Sequence, residues 1–360
     1  MNMTKELSQK GIYTFVISFI LFSFLALTLI IYVDPLWLNT NDNFLNRNQP
    51  VYNERLTKTL RLTYGVKAED YDSISIGSSR SAFLPVDYFK NYRVFNYSVS
   101  SVYPEEYIKM LNFYSEKMNK PKAIIIGADF FGTRNDWADF ISEYIKDSQS
   151  KTYVVSQLFS IDTLLLALSI GWNNLTEDTP QYGNGSYDRY LRKTLYRKAE
   201  HDPRYKPLMR KYCRYFYGDT YIYYWRLPDI YTEIVERYPD TQFIVFTTPI
   251  TGDLYDAMIH KGLLENYLRW ITLMVNKFGM IVDLMGHNEF TDNPDNYYDY
   301  HHFSSEAGRY IVEDVLEKEQ PTFGARITHD NLEQYLVEKR AEAELILNHN
   351  ENPCVKAEQG

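Results

Sequence analysis

From Gly11 to Val33 the chain carries no charged residue and reads GIYTFVISFILFSFLALTLIIYV. About twenty apolar residues wound as a helix cross the hydrocarbon core of a bilayer. The run is longer than the apolar stretch of a cleavable leader, and no small-x-small site follows it. Asp34-Pro35 ends the helix where the backbone would meet water again. A transmembrane helix is therefore expected over residues 11–33. Lys5 and Lys10 precede it, whereas Asp34 and Asp42 follow it before the first basic residue, Arg47. The bias of basic residues toward the cytoplasmic side places residues 1–10 inside and everything after Asp34 outside. That is the periplasm of a Gram-negative cell or the outer face of a Gram-positive one.

The remaining chain, of a total of 360 residues at 45% hydrophobic content, is long enough for one large domain with a substantial core. The formal net charge of -9 comes without any basic run, which excludes phosphate-backbone recognition of nucleic acid. Tyr is abundant at 33 residues, and packing at core edges accounts for it better than sugar-stacking platforms do. Cys213 and Cys354 are the two cysteines; free thiols are expected, with a single bridge between them as the alternative in an oxidising compartment.

Residues 34–70 read as a membrane-proximal connector. Its ERLTKTLRLTYG stretch is a short basic helix, with Arg55, Lys58 and Arg61 on a solvated face or resting on lipid head groups. Beyond it, strand-like and helix-like segments alternate. Residues 71–76, 93–96, 122–126, 242–247 and 280–284 are the expected strands. Residues 104–118, 153–170, 221–238, 263–278, 305–319 and 332–347 are the expected helices. The run KAIII at 122–126 has the unbroken apolar character of a parallel strand covered on both faces. Such alternation predicts an α/β domain over 71–320, a three-layer sandwich with a mainly parallel central sheet. A polar insertion is expected over about 172–220, and residues 321–360 read as a C-terminal helix followed by a frayed tail.

In sheets of this kind, active sites gather at the carboxyl ends of the strands. Two motifs fall there. Gly77-Ser78-Ser79-Arg80-Ser81 follows the first strand and exposes a serine hydroxyl at the sheet edge; a turn or N-cap serine is the plain alternative. Asp299-Tyr300-His301-His302-Phe303 precedes a late helix, and a carboxylate three residues before an imidazole can orient it as a base. Neither a metal-ligand cluster nor a phosphate loop appears, so no cofactor is expected. Asp283 and His287 are a lone pair rather than a site.

Together these motifs resemble the SGNH (GDSL-like) hydrolase superfamily. Gly77-Ser78-Ser79 stands where that family has Gly-Asp-Ser, which makes Ser79 the nucleophile, and Asp299 and His302 match its Asp-x-x-His. In the block from Asn96 to Ser101, Ser101 takes the place of the oxyanion-hole glycine. In Gly127-Ala128-Asp129, Asp129 replaces the asparagine that donates to the oxyanion. An unpaired carboxylate would repel an oxyanion. Asp129 is therefore either protonated or paired with Arg80 or another cation, unless Arg134 or Asn135 reaches the site instead. Arg80 either bridges to Asp129 or binds a substrate anion. With IYVDP and ERLTK, these blocks are similar to bacterial single-pass envelope proteins near those of alginate acetylation and teichoic-acid D-alanylation. The resemblance implies ester or acyl-transfer chemistry on an envelope polysaccharide or lipid-linked glycan, alongside membrane-complex partners. A non-catalytic scaffold or glycan-binding subunit, and a lipid esterase or thioesterase, are its alternatives.

Overall fold

The computed structural model describes residues 2–39, 42–50, 53–135, 139–176, 185–188, 191–194, 205–218 and 221–359. Its strands are β1 (Asn48–Pro50), β2 (Ser73–Gly77), β3 (Val94–Asn96), β4 (Ala123–Ala128), β5 (Ser186–Asp188), β6 (Lys193–Thr194), β7 (Gln242–Thr247), β8 (Met280–Asp283) and β9 (Ala325–Thr328). Six of them form one sheet in the order β3-β2-β4-β7-β8-β9. Each neighbouring pair is parallel except β8 with β9. The chain is thus α/β with a mixed, mostly parallel sheet and one apolar N-terminal helix, Asn2–Val33. Its stretch Lys10–Val33 is long and apolar enough to cross a membrane.

The sheet is covered on both faces, and β4 shows why. Its β-branched residues suit a pleated strand, and all of AIIIGA is buried. Ile124 and Ile126 enter one core with Phe95, Tyr114 and Trp270. Ile125 enters the other with Phe83, Phe246 and Ile311. Helices Pro104–Lys117, Leu227–Arg237 and Leu264–Phe278 supply the first core, and Ser305–Tyr310 with its continuation to Leu316 the second. Gly279, at a φ of 78°, ends the helix Leu264–Phe278 in the left-handed turn that glycine allows and passes the chain to β8.

This order creates one switch point. After β2 the next strand, β3, lies to one side, and all later strands of this sheet lie to the other. A crevice opens at the carboxyl ends of the two strands that flank such a reversal, here β2 and β4. Gly77 and Gly127 face each other there. A Cβ on Gly127 would stand 1.8 Å from the Ser81 hydroxyl, and one on Gly77 2.4 Å from it. Both glycines therefore admit the turn that follows β2.

Several expectations need correction. The connector helix (Glu54–Leu60, continued to Gly65) forms, but its basic residues are not solvated. Lys58 and Arg61 are only 1% and 5% exposed: Lys58 donates to the Ser98 carbonyl and stands over the Tyr187 ring, and Arg61 stands over the Trp37 ring. The apolar helix expected over 153–170 is two helices, Lys151–Leu158 and Ile161–Thr176, bent by 57° where Ser160 caps the second through Thr163. Residues 221–226 are irregular, and their helix begins at Leu227, next to Pro228 in its first turn. Residues 321–360 are not an appendage, because β9 extends the sheet. Nor is the tail frayed: Pro353–Glu358 is a helix, and Cys354 is bonded to Cys213. The expected free thiols are thus a disulfide. Of the insertion expected at 172–220, parts lie outside the described residues. Its described strands β5 and β6 form a small antiparallel sheet with β1.

Candidate active site

Ser79 emerges directly after β2, in a turn fixed by Ala82 N–H donating to the Ser78 carbonyl at 3.2 Å. Its neighbours Ser78 and Arg80 are buried while Ser79 itself is half-exposed. Asn96, on β3, donates to the carbonyls of Ser81 and Leu84 and so holds the far side of that turn. The opposite wall is the loop 297–303, closed by a bridge between Tyr297 and Phe303. Within it, Oδ1 of Asp299 accepts the backbone N–H groups of His301 and His302 at 2.9 and 2.8 Å. Oδ2 of Asp299 lies 2.7 Å from Nδ1 of His302. Nε2 of His302 lies 2.9 Å from the Ser79 hydroxyl oxygen. The structure thus brings Ser79, His302 and Asp299, 223 positions apart at the extremes of the first contact, into one chain of hydrogen bonds.

Burial works against the charge on Asp299. Electrostatic attraction toward His302, then His301, and the hydrogen bonds from both residues outweigh it and hold the carboxyl far below the usual range. Asp299 therefore accepts the Nδ1 proton of His302, which leaves Nε2 as the acceptor facing Ser79. The Phe83 ring, edge-on at 5.7 Å, backs the imidazole.

His301, out of register with the motif, has a partner set of its own. Burial, then the neighbouring His302, push its pKa well below the ordinary value, so it is neutral. Arg80 can only donate, and its Nη2 lies 2.8 Å from Nδ1 of His301. The His301 proton therefore sits on Nε2, 2.5 Å from the Tyr212 hydroxyl. Arg80 is 1% exposed, lies 3.1 Å from Asp129, and stacks over the Phe131 ring at 5.0 Å. Thr248 donates to the same Asp129 oxygen at 2.5 Å. Of the alternatives for Asp129, pairing with Arg80 is the arrangement observed. The backbones of Arg134 and Asn135 pair with Tyr223 and Ile222.

Asp299, His301 and His302 also present metal-ligand atoms within 4.8 Å of one another. Those atoms are engaged with each other, with Ser79 and with Tyr212, an arrangement suited to proton transfer rather than to a cation.

Ser101 follows β3. Val99 N–H reaches the Gly77 carbonyl at 3.0 Å, so the residues after it emerge beside the turn that carries Ser79. Ser101 has a φ of 53°, a left-handed conformation that favours glycine. The connector helix grips this loop. Arg55 donates to the carbonyls of Ser100 and Ser101 at 2.8 and 3.0 Å, and Lys58 to that of Ser98 at 2.6 Å. Glu54 accepts the Ser100 N–H at 2.5 Å. Lys193 on β6 and the Tyr187 hydroxyl on β5 complete the cluster at Glu54. Burial opposes the charge on Glu54, yet Lys193 and Lys58 bring its pKa down to about 2. Burial drives Lys58 down to about 7 against the pull of Glu54.

Glu54, Lys58, Lys193, Tyr212, Thr248 and the role of His301 were not foreseen from sequence. Their partners are backbone atoms or residues distant in the chain, which leave no local spacing to read. No known family model matches this chain, and no curated protein matches it in sequence.

Proposed function

We propose that this chain is a membrane-anchored serine esterase or O-acyltransferase of the SGNH type. The observation that carries the reading is the Ser79–His302–Asp299 chain of hydrogen bonds, set at the switch point of a mostly parallel sheet. In the proposed reaction His302 Nε2 takes the Ser79 proton as Oγ bonds to an ester carbonyl carbon. The tetrahedral intermediate collapses, the C–O bond to the leaving alkoxide breaks, and His302 returns the proton to that oxygen. Water or a glycan hydroxyl, deprotonated by His302, then attacks the acyl-serine carbonyl; the acyl–Oγ bond breaks, and His302 returns the proton to the Ser79 oxygen. The backbone N–H groups of Ser79 and Ser101 donate to no other group among the described residues, and they are the proposed oxyanion donors. Asp129 does not meet the oxyanion as a lone charge, because Arg80 neutralises it.

The motif blocks support acetyl-type esters on an envelope polysaccharide or lipid-linked glycan as substrates. The basic residues before the apolar helix support a domain outside the cytoplasm. Tethering confines the enzyme to the surface where such polymers are assembled.

The test is labelling of the full-length protein in detergent with a fluorophosphonate probe that reports activated serines. Wild type is expected to label, and Ser79→Ala and His302→Ala to stay blank. A folded wild type that remains unlabelled and turns over no small acyl ester would overturn the enzymatic reading in favour of a scaffold.

A further inference from the structure

The helix Ile161–Thr176 carries no charge after Asp162. One side packs on the end of the N-terminal helix, where Ala167 and Ile170 share a small core with Ile30 and Val33. A Cβ on Gly171 would lie 3.9 Å from Val33, so the small residues at 167 and 171 set a close approach. The other side is apolar as well. Ile161, Leu165, Leu168, Trp172 and Leu175 recur at helical spacing and are between 50% and 74% exposed. A surface helix of a globular domain turns polar residues to that side, and an exposed apolar stripe of this length marks an interaction surface.

We propose that this stripe lies in the interfacial layer of the membrane leaflet reached by the Val33 end of the anchor. Continuity with the anchor selects lipid as the occupant. The helix is packed against the last turn of the apolar span, and the anchor's neighbouring Ile31 and Tyr32 are 51% and 43% exposed at the same level. At about 1.5 Å per residue the helix is roughly 24 Å long. That is too short for a hydrocarbon core of about 30 Å but suits a helix lying in the plane of the interface. Trp172 has the amphipathic ring that favours head-group depth. Asn174 exchanges two hydrogen bonds with the Asn48 backbone at 3.1 and 2.8 Å, tying the membrane-facing helix to β1. Anchor and helix together thus give the domain two lipid contacts and a fixed tilt. The inference rests on the anchor reading and is independent of the catalytic one.

The full-length protein, with single cysteines at Leu168→Cys or Leu165→Cys, would be labelled with an environment-sensitive fluorophore and placed in phosphatidylcholine vesicles. Leu21→Cys in the anchor and Val337→Cys, 65% exposed on the helix Leu332–His349, serve as references. Labels at 165 and 168 are expected to be quenched by lipid-borne nitroxide and shielded several-fold from aqueous iodide relative to 337. If 21 reads lipid while 165 and 168 are as open to iodide as 337, the interfacial proposal fails and the anchor stands. If 21 is itself open to iodide, both fail. Shielding at 165 and 168 without lipid quenching would show a protein on the stripe and overturn the proposal.

Discussion

A carboxylate at position 129 would oppose an oxyanion formed at Ser79 if it stood alone, and Arg80 is the residue that prevents this. The pair is almost fully buried, so neither charge can turn to water for solvation. Removing one partner of a buried pair costs about 3–5 kcal/mol, whereas replacing both by apolar groups of like volume is often neutral. Arg80→Met is therefore expected to lower the thermal midpoint strongly, and Arg80→Met combined with Asp129→Leu to recover most of the loss. A double variant as unstable as the sum of the singles would contradict this coupling. Arg80 also fixes the His301 tautomer, so both variants are expected to reduce turnover. That Ser79, His302 and Asp299 come together was legible in the sequence because strand ends and a three-residue spacing put them at one edge. The fate of Asp129 was not: protonation, pairing with Arg80 and pairing with another cation were all open on paper, and the choice of Arg80 depends on how the turn after Gly77 packs against Gly127.

The connector helix shows what an element can do that its sequence does not announce. Its basic residues read as a solvated face, yet Arg55 and Lys58 are spent on the carbonyls of Ser98, Ser100 and Ser101. Those partners are backbone atoms of a loop some forty positions away, and a sequence carries no mark of them. A displacement of about 1 Å at a reacting centre costs on the order of 100-fold. Arg55→Gln and Lys58→Met are accordingly expected to lower kcat on a small acyl ester by roughly 10- to 100-fold with little change in KM. A rise in KM at constant kcat would mean that they shape binding instead. A second pinning point lies across the sheet, where His287 joins Asp256 of the helix Gly252–His260 and Asp292, each at 2.7 Å. Hydrogen bonding to Asp256 raises its pKa to about 9 from the ordinary value near 6.5, against the opposing effect of burial. Because the folded value is the higher, the stabilisation is complete below about pH 6.5 and is lost as pH rises through about 9. Partial exposure reduces it to about 1–2 kcal/mol. His287→Ala should thus lower the thermal midpoint at pH 6 and leave it nearly unchanged at pH 9.5; an equal loss at both pH values would show a packing role alone.

At the scale of the molecule, the α/β alternation and the apolar N-terminal span were readable because both are periodic patterns, while the way the chain's end is fastened was not. Two cysteines separated by 141 positions give no local signal for pairing, and β9 was hidden because a four-residue antiparallel edge strand has little periodicity to show. The bridge ties the final helix to the segment whose Tyr212 holds His301, so it joins the C-terminus to one wall of the site. Closing so long a loop removes unfolded-state entropy worth roughly 3–5 kcal/mol. Cys354→Ser is expected to lower the midpoint accordingly, and reductant to do the same to wild type but not to the variant. Such a bond persists outside the reducing cytoplasm, which makes it a probe of the orientation implied by Lys5 and Lys10. In bacteria expressing the full chain, acid-quenched and then alkylated under denaturing conditions, both thiols are expected to be protected until a reductant is added. Full alkylation without reductant would place the domain on the cytoplasmic side, and a surface-glycan substrate would be lost with it.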